Sequence, residues 1–543
     1  MLPMRYWLFA SCILLGVVSA VGLSQSPEWA WPTVLFTGLA MVGVSDLLQP
    51  RQTLRRNYPL LAHLRYFFES IGPEIRQYFI EADTDERPFS RLQRNIVYQR
   101  AKDTLDLRPF GTQLDVYAPR YEWINHSMAP TRPDSADFRV LIGEGRAQPY
   151  SASVFNISAM SFGSLSANAI LALNEGARRG NFYHDTGEGS ISQYHRENGG
   201  DLVWEIGSGY FGCRDGQGAF DEARFAANAA NPQVKMIELK LSQGAKPGHG
   251  GVLPAAKVSP EIAAARGVPA GVDCISPARH SAFSTPVGLL QFVDRMRTLS
   301  GGKPTGFKLA IGHPWEWFAI AKAMAETRLL PDFIVVDGGE GGTGAAPLEF
   351  TDHVGTPLHE ALVLVHNTLV GLNLRRSIRI GAAGKVVTAF DIARTIALGA
   401  DWCNAARGFM FSLGCVQSLS CHTDRCPTGV ATQDPGRQRG LVPADKATRV
   451  HQFHGNTVQA LRELVAAAGL MHPSDLGPEH IIRRVSSSDV RPLSLLLRFI
   501  RPGELLDGAV PDIPVFQAFW SSASSGTFEA PDTVRAMRST KIW

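Results

Sequence analysis

Eight short runs of β-branched and apolar residues recur between positions 154 and 408, and helix-length spacers separate them. Runs of this length that end in glycine or polar residues are typical of buried parallel strands. Eight strand–helix units predict an α/β fold, the (β/α)8 barrel, with its active site at the carboxyl ends of the strands. The predicted strands are 154–160, 181–186, 235–241, 272–277, 306–311, 333–338, 377–383 and 402–408.

The spacers support this interpretation. The segment LSANAILALNEGARRG ends at Gly180, and TAFDIARTIALGAD repeats apolar residues at helical spacing before Gly399. The spacer 190–232 is much longer, so we interpret it as an excursion between the second and third strands that covers the active site.

The first 50 residues differ from the rest, because two apolar runs, Tyr6 to Leu23 and Ala30 to Ser45, each approach the length of a membrane span. A cleaved signal peptide is the alternative, but the second run and the lack of a cleavage site weigh against it. The predicted organisation is a transmembrane helical hairpin (1–50), a connector (51–150), the barrel (151–440) and a C-terminal helical extension (441–543).

Basic residues flank the apolar pair on both sides, with Arg5 before it and Arg51, Arg55 and Arg56 after it. By the positive-inside rule both flanks face the cytoplasm, so the barrel is expected on the cytoplasmic side of the inner membrane. The net charge of +3, from 53 basic and 50 acidic residues, gives no reason to expect nucleic acid as a partner.

Three cysteines fall close together, Cys415, Cys421 and Cys426, while the other four are scattered. A disulfide would leave one thiol over, and a cysteine followed by proline is a familiar ending of iron–sulfur ligand runs. An iron–sulfur site is therefore favoured. A Cys3His zinc site with His422 and a set of unligated buried thiols are the alternatives.

The pattern C-x5-C-x4-C-P-x-G-V-A-T-Q resembles the cluster loop in the FMN-containing synthase domain of glutamate synthases, where three cysteines hold a 3Fe–4S cluster. Further motifs of that family follow in the same order, so the resemblance covers about residues 85–470. They are SAMSFGS (158–164), TGEG (186–189), QGAKPG (243–248), ISP (275–277) and GGTGAAP (341–347).

The resemblance implies a set of site residues. It implies that the three cysteines hold the cluster, 3Fe–4S rather than 4Fe–4S, and that Glu188, Lys246 and His249 occupy catalytic positions. A buried ion pair is the alternative role for Lys308. The implied FMN contacts are Ser161, Lys308, Gly341, Gly342, Gly344, Gly384, Arg407 and Gly408.

The stretch from Gly339 to Gly344 also matches the dinucleotide-binding pattern G-x-G-x-x-G. Pro347 argues against that role, because the fingerprint must lead directly into a helix. In a barrel these glycines either bring backbone amides against flavin or substrate, or simply form a turn.

Two positions depart from the family. The corresponding loop of the family reads K-P-G-E-G-G-Q. This chain has His249 in place of the glutamate and Val252 in place of the glutamine, which binds substrate in the family. The loss of that glutamine puts recognition of 2-oxoglutarate in doubt. His249 is a candidate proton donor or substrate anchor, or else a structural histidine.

The sequence thus predicts an FMN and iron–sulfur oxidoreductase that converts a 2-oxoacid and ammonia, for example 2-oxoglutarate, into an amino acid such as L-glutamate. Because no nucleotide fold is evident, electrons are expected from an external donor: a ferredoxin, an NAD(P)H-oxidising subunit or a membrane quinol. The alternatives are a different 2-oxo or 2-imino substrate, and a membrane-tethered regulatory barrel without turnover.

Overall fold

A computed structural model describes residues 3–50, 52–80, 87–508 and 510–540. The chain divides into two compact units, Met1–Asp85 and Glu86–Trp543. Each unit is described separately below.

The first unit is helical. Its two longest helices, with their leading 3-10 turns, cover Met4–Leu23 and Pro27–Leu48, and both are long and apolar enough to cross a membrane by length and composition. Arg51, one of the flanking basic residues, lies outside the described residues. The helices of the unit are Trp7–Leu23, Ala30–Leu48, Thr53–Asn57 and Leu61–Ile75, followed by the π-helical turn Arg76–Ile80.

Small residues let the first two helices pack closely against each other. A Cβ on Gly43 would collide with the ring of Phe9, and a Cβ on Gly16 would lie 3.6 Å from the backbone of Phe36. Close approach at small residues is the usual way in which apolar helices pair. The two runs therefore form a helical hairpin.

The second unit is built on a closed barrel of eight parallel strands. In chain order the strands are β1 (Phe155–Ile157), β2 (His184–Asp185), β3 (Leu202–Ile206), β4 (Val234–Lys240), β5 (Thr305–Leu309), β6 (Phe333–Asp337), β7 (Arg379–Ala383) and β8 (Trp402–Ala405). β8 pairs with β1 and closes the barrel. The predicted fold class is confirmed.

Two strand assignments differ from the prediction. β3 lies inside the segment 190–232, which we had interpreted as a loop, whereas the predicted strand 272–277 is not part of the barrel. There, Cys274–Ile275 pairs antiparallel with Val252–Leu253 in a separate two-stranded sheet. Ile275 is 65% exposed, so this segment lacks the burial of a barrel strand.

The residues of β3 show the alternation that makes it a barrel strand. Trp204 faces outward, where its ring stacks 5.3 Å from that of Phe225 on a surrounding helix. The neighbouring Glu205 is also buried, but it forms an ion pair with Lys308 of β5 in the barrel interior. Successive side chains on opposite faces are what a strand requires.

Helices alternate with the strands around the barrel. Ser166 and Thr388 cap the helices that follow β1 and β7. The helices between Ala167 and Ala467 are Ala167–Gly180, Gln193–Glu197, Glu222–Ala229, Pro260–Arg266, Pro286–Leu299, Pro314–Thr327, Leu348–His353, Leu358–Gly371, Ala389–Ala397, Arg407–Ser412, Pro435–Gln438 and Pro443–Ala467.

The remaining elements lie outside the strand–helix repeat. A hairpin of Arg139–Ile142 and Tyr150–Ser153 lies at the amino end of the barrel strands, where Arg379 donates to the carbonyl oxygen of Leu141 at 3.1 Å. Glu122–Ile124, Ile481–Arg484 and Val490–Pro492 form a three-stranded sheet. The other helices are Arg91–Ala101, Leu493–Leu496, Pro514–Phe519 and Asp532–Thr540.

Candidate active site

Charged side chains meet at the carboxyl ends of β2 and β4. Glu188 follows β2, and its Oε1 lies 3.2 Å from Nζ of Lys240, the last residue of β4. Both side chains are largely buried, with 16% and 10% of their surface exposed. Lys246, in the loop after β4, is 2% exposed. The structure therefore brings the predicted Glu188 and Lys246 to one end of the barrel and adds Lys240.

Glycines make room for the Glu188 carboxylate. A Cβ on Gly207 would lie 2.6 Å from its Oε2, and a Cβ on Gly251 would collide with its Oε1. Any larger residue at these two positions would displace the carboxylate. The loops after β3 and β4 thus fix Glu188 from two sides.

The charges around Glu188 set its protonation. Burial works to raise its pKa, but Lys240, Arg266 and Lys246 together hold the pKa below the usual 4.5. Burial and repulsion by Lys240 lower the pKa of Lys246, although Glu188 opposes this shift. Glu188 is accordingly a carboxylate at neutral pH, and it is ready to accept a proton or a hydrogen bond.

Arg266 links this group to the loop after β1. Its Nη2 donates to Oγ of Ser161 at 3.3 Å and to the carbonyl oxygen of Phe162 at 3.1 Å. A Cβ on Gly187 would lie 2.6 Å from the backbone nitrogen of Ser161, so the loops after β1 and β2 are in contact. Ser161 therefore belongs to the same end of the barrel as Glu188.

His249 lies apart from these side chains. It is an exposed residue, and its Nδ1 lies 2.9 Å from the carbonyl oxygen of its neighbour Gly250. Its ring meets that of Phe350 edge to face at 5.4 Å. Neither contact involves a charged group of the site.

Lys308 occupies the barrel interior among carboxylates. Its ammonium forms an ion pair with Glu205, and it also lies 3.2 Å from Oε1 of Glu238. Oxygen atoms of Asp185, Glu205 and Glu238 all lie within 4.8 Å of one another, and all three residues are buried. The structure thus gives Lys308 the ion-pair surroundings that we considered as its alternative role, and it does not test a flavin contact.

Burial of this carboxylate layer favours protonation of its members. Burial, followed by the charges of Asp185 and Asp337, raises the pKa of Glu238 well above 4.5. Burial also raises the pKa of Asp185, against the attraction of Lys308. Burial and the neighbouring acids outweigh the attraction of the nearby lysines at Glu238, so Glu238 is the carboxyl group of this layer that most favours its protonated form.

The glycine-rich loop after β6 touches two other loops. The backbone N–H of Gly244 donates to Asp337 Oδ2 at 2.8 Å, and a Cβ on Gly244 would collide with the carbonyl oxygen of Gly338. A Cβ on Gly341 would lie 3.2 Å from the nitrogen of Ala245, and one on Gly342 would lie 2.9 Å from Nη1 of Arg407. At 341, 342 and 344 the glycines have no positive φ. Close approach, rather than a tight turn, explains Gly341 and Gly342.

Arg407 is a half-buried cation at the end of β8. Its Nη2 donates to the carbonyl oxygen of Glu340 at 3.0 Å, and its guanidinium lies 4.6 Å from the ring centre of Phe89. Burial lowers its pKa to about 10. In the described part of the chain Arg407 forms no ion pair with a carboxylate, so it retains donors for an anion.

The loops after β7 and β8 are closely packed beside Arg407. A Cβ on Gly384 would lie 3.0 Å from Cδ2 of Leu358, and a Cβ on Gly408 would lie 3.2 Å from Val387. A Cβ on Gly384 would also lie 3.4 Å from Cδ of Glu340, so the loop after β7 contacts the one after β6. The structure therefore brings the predicted Gly384, Arg407 and Gly408 together.

The three cysteines share one loop, and none of them forms a disulfide. Burial, together with the neighbouring Cys421 and Cys426, raises the pKa of the Cys415 thiol to about 12. For Cys426, hydrogen bonds from backbone N–H groups and from Thr428 outweigh burial and lower the pKa. Three neighbouring thiols, with backbone donors that favour the thiolate form at Cys426, fit an iron–sulfur ligand set.

The zinc alternative fits less well. His422 is exposed, whereas Cys421 is half-buried and Cys426 is buried. The cluster loop also reaches the barrel, since a Cβ on Gly344 would lie 3.9 Å from Cβ of Cys421. The cysteines thus lie beside the glycine-rich loop after β6.

Sequence reasoning missed several charged residues of this site. Lys240 is the last residue of β4, much as Lys308 is the last but one of β5. Its place at a strand end was the one feature of the sequence that could have identified it as a site residue. Arg266 sits on a helix and Asp337 at the end of β6, and neither belongs to a motif that we recognised. Their partners are far away in the chain, so only the fold reveals their roles.

Comparison with known proteins agrees with this description. The conserved region in glutamate synthase matches residues 132–471. The glutamate synthase large subunit-like protein YerD of Bacillus subtilis (strain 168) is 37% identical over 503 residues, which is 85% of this chain and 95% of that protein. The archaeal-type NADPH glutamate synthase of Thermotoga sp. (strain RQ2) is 34% identical over 330 residues, 60% of this chain and 62% of the relative.

A third relative is the archaeal NADPH glutamate synthase of Methanocaldococcus jannaschii, with 35% identity over 315 residues. The chain spans nearly all of the Bacillus relative and about three fifths of the length of the other two, 62% and 58%. The fold, the charged site and these relatives together define a (β/α)8 barrel oxidoreductase. More specifically, the chain belongs to the glutamate synthase family.

Proposed function

We propose that the chain is a glutamate-synthase-like flavin oxidoreductase that reductively aminates a 2-oxoacid. The observation that carries this proposal is the grouping of Glu188, Lys240 and Lys246 at the carboxyl ends of β2 and β4. Opposite charges held together in a largely buried place suit a carboxylate substrate whose neighbouring carbon is to be reduced.

The cofactors implied by the family fit the donors present. When bound, FMN would supply hydride and a three-iron cluster on Cys415, Cys421 and Cys426 would supply single electrons. Arg407, a half-buried guanidinium without a carboxylate partner in the described residues, suits the flavin phosphate. The other proposed flavin contacts are Ser161, Lys308, Gly341, Gly342, Gly344, Gly384 and Gly408.

Each charged residue has a distinct task in this proposal. Lys246 binds the substrate carboxylate, because Lys240 is already paired with Glu188. Ammonia and the 2-oxoacid form an imine and release water, and the imine then gains one hydride and one proton. Glu188, an ionised carboxylate at neutral pH, takes up and returns protons at Oε1.

The substrate side chain is where this chain departs from its family. Val252 forms a backbone pair with Ile275 and offers no side-chain hydrogen bond to a second carboxylate. We therefore expect 2-oxoglutarate to bind weakly, or a 2-oxoacid with a less polar side chain to replace it. A different 2-oxo or 2-imino substrate is the second candidate for the same reason.

The nitrogen and the electrons are proposed to come from outside this chain. Free ammonia is the simplest nitrogen source, and a ferredoxin, an NAD(P)H-oxidising subunit or a membrane quinol are the candidate donors. Met4–Leu23 and Pro27–Leu48 would anchor the protein in the inner membrane with the barrel in the cytoplasm.

The test is anaerobic reoxidation of the photoreduced full-length protein by 2-oxoacids plus ammonia. In Lys246→Met the flavin should remain bound, and the apparent affinity for the 2-oxoacid should fall by roughly tenfold to over a hundredfold, as expected for the loss of a charged hydrogen bond. Lys235→Met is the matched control, because Lys235 pairs with Asp201 near the other end of β4. If no 2-oxoacid reoxidises the wild-type flavin with ammonia present, the proposed reaction is wrong.

A further inference from the structure

Lys257 is a buried lysine that none of the roles above uses. It ends the 3-10 turn Ala255–Lys257, and only 3% of its surface is exposed. Its Nζ donates to the carbonyl oxygen of Ala431 at 3.0 Å and to that of Ser164 at 3.3 Å. Ala431 lies in the cluster loop shortly after Cys426, and Ser164 lies in the loop after β1. Lys257 therefore joins these two loops.

No carboxylate neutralises this ammonium directly. Among the described residues, Lys257 forms no ion pair with an acidic side chain, and carbonyl oxygens are its only hydrogen-bond partners. A buried charge without a counter-ion is costly, so a protein keeps one only where something offsets it. Burial lowers the pKa of Lys257, and the groups whose negative charge opposes this shift are Asp424, Cys421 and Cys426.

Asp424 is committed to the loop itself. Its Oδ1 accepts from the backbone N–H of Gln433 at 2.7 Å and from Oγ1 of Thr432 at 3.2 Å. These bonds hold Asp424 in the left-handed conformation, with φ of 62°, between the second and third cysteines. Cys421 and Cys426 are therefore the other groups of this loop whose negative charge can offset the ammonium of Lys257.

The lysine also acts on the peptides around Cys426. The Ala431 peptide contributes a carbonyl oxygen to Lys257, and the N–H of the same residue is directed to the Cys426 sulfur. Backbone N–H groups of Thr428 and Val430 are directed to that sulfur too. A full positive charge and a set of backbone dipoles thus stabilise negative charge at one side of the loop.

We propose that Lys257 is the fixed counter-charge of the iron–sulfur site and raises its reduction potential. This inference rests on the proposed function, because it requires a cluster on the three cysteines. Each added electron makes a thiolate-ligated cluster more negative, so a nearby permanent cation favours the reduced form. Lys257 is a positioning and electrostatic residue, since it contacts the loop and not the reacting atoms.

The test uses full-length protein in detergent and an EPR-monitored redox titration of the three-iron signal. Lys257→Met keeps the length of the side chain but removes the charge, and Lys257→Arg keeps the charge. We expect Lys257→Met to shift the one-electron equilibrium at least tenfold toward the oxidised form, about 59 mV lower in potential. Lys257→Arg should stay within about a third of that shift. The flavin potential, followed by absorbance in the same samples, serves as the internal reference and should move less.

Asp424→Asn provides a change of opposite sign. It keeps the side-chain oxygen that caps the loop but removes a negative charge, so the cluster potential should rise. Unchanged potentials in both Lys257→Met and Asp424→Asn would overturn the inference. Loss of iron from both lysine variants would also overturn it, because the hydrogen bonds rather than the charge would then be essential. Absence of iron from the wild-type protein would instead contradict the proposed function.

Discussion

Glu188 and Lys240 form an ion pair of 3.2 Å that connects the ends of β2 and β4. Because Lys240 is neutralised in this way, Lys246 is the remaining cation of the group for a substrate carboxylate. Gly207 and Gly251 pack against the Glu188 carboxylate, since a Cβ at either position would collide with its oxygens. The pair therefore contributes to stability as well as to the proposed reaction.

The first prediction concerns this pair and pH. The folded pKa of Glu188 lies below 4.5, so its contribution to stability is fully present above pH 4.5 and disappears as the pH falls through the folded value. Glu188→Gln should lower the free energy of unfolding by about 1–3 kcal/mol at pH 7, because Lys240 loses its partner. Urea denaturation at pH 7 and at acidic pH should show this difference shrinking in acid.

Glu175→Gln is the matched control for Glu188→Gln. Glu175 pairs with Arg178 and Arg179 on a helix, and the two arginines are 51% and 38% exposed. A solvated pair of this kind is worth about 0–1 kcal/mol. Equal losses in the two variants would contradict the special role of the Glu188–Lys240 pair.

The second prediction concerns the carboxylate layer in the barrel interior. Burial and the neighbouring acids raise the pKa of Glu238, so the folded state holds this proton more tightly than the unfolded state. Stability should therefore fall as the pH rises from 4.5 toward the raised folded value. Glu238→Gln copies the protonated form, so it should change stability at pH 7 by less than about 1 kcal/mol and remove this slope.

Glu205→Gln is the contrasting variant in the same layer. Glu205 pairs with Lys308, so its loss should cost about 1–3 kcal/mol, more than the loss of the Glu238 carboxyl. Thermal or urea denaturation across pH 5–9 would measure both variants. If Glu238→Gln proves the more destabilising of the two, the assignment of the buried proton to Glu238 is wrong.

Much of the fold could be predicted from the sequence, because local sequence patterns specify many of its elements. The helices Ala167–Gly180 and Ala389–Ala397 have capping residues and apolar periodicity that can be recognised without a structure. β3 was missed because glycines at 199, 200 and 207 closely flank five residues, so the segment appeared to be a loop. Because the segment 272–277 was wrongly predicted as a barrel strand, the predicted number of barrel strands was still eight.

The site was only partly predictable for a physical reason. Glu188, Lys246, Arg407 and the cysteines lie in motifs, and the structure places them at the carboxyl end of the barrel or in the adjoining cluster loop. Pairings such as Glu188 with Lys240 and Glu205 with Lys308 join residues on different strands. No local pattern specifies which of two distant charges will meet inside a barrel.

The third prediction concerns the cluster loop. Three thiolates complete a three-iron cluster but leave one corner of a four-iron cube without a ligand, so anaerobic wild-type protein should hold about three irons per chain with a three-iron EPR signal. Cys421→Ser should lose iron while keeping flavin. Cys213→Ala is the control, because Cys213 is buried away from the loop and burial raises its pKa. Zinc as the dominant metal in wild-type protein would refute the assignment.

The fourth prediction concerns orientation in the membrane. The polar link between the two apolar helices should face the outside, and residues 87–508 should face the cytoplasm. A cysteine placed at the exposed Ser24 should react with an impermeant maleimide in intact cells, whereas one at the exposed Ser488 should react only after lysis. The reverse pattern would overturn the topology, and equal reaction at both sites before lysis would argue against a membrane hairpin.

The last prediction concerns substrate choice at Val252. Val252 follows Gly251, which packs against the Glu188 carboxylate, so residue 252 is the next position along the chain from this contact. An amide at this position could donate to the distal carboxylate of 2-oxoglutarate, whereas valine cannot. Val252→Gln should therefore improve the apparent affinity for 2-oxoglutarate by about tenfold to a hundredfold, the value of one hydrogen bond of roughly 1–3 kcal/mol.

The measurement is flavin reoxidation with 2-oxoglutarate, compared with shorter and apolar 2-oxoacids at fixed ammonia. Ile275→Gln is the matched control, because Ile275 is the exposed backbone partner of Val252 in the same two-stranded sheet. A gain with 2-oxoglutarate in Val252→Gln alone, together with a loss for apolar acids, would assign side-chain recognition to position 252. If both variants leave the order of preference unchanged, residue 252 does not contact the substrate, and the weak binding expected for 2-oxoglutarate loses its physical basis.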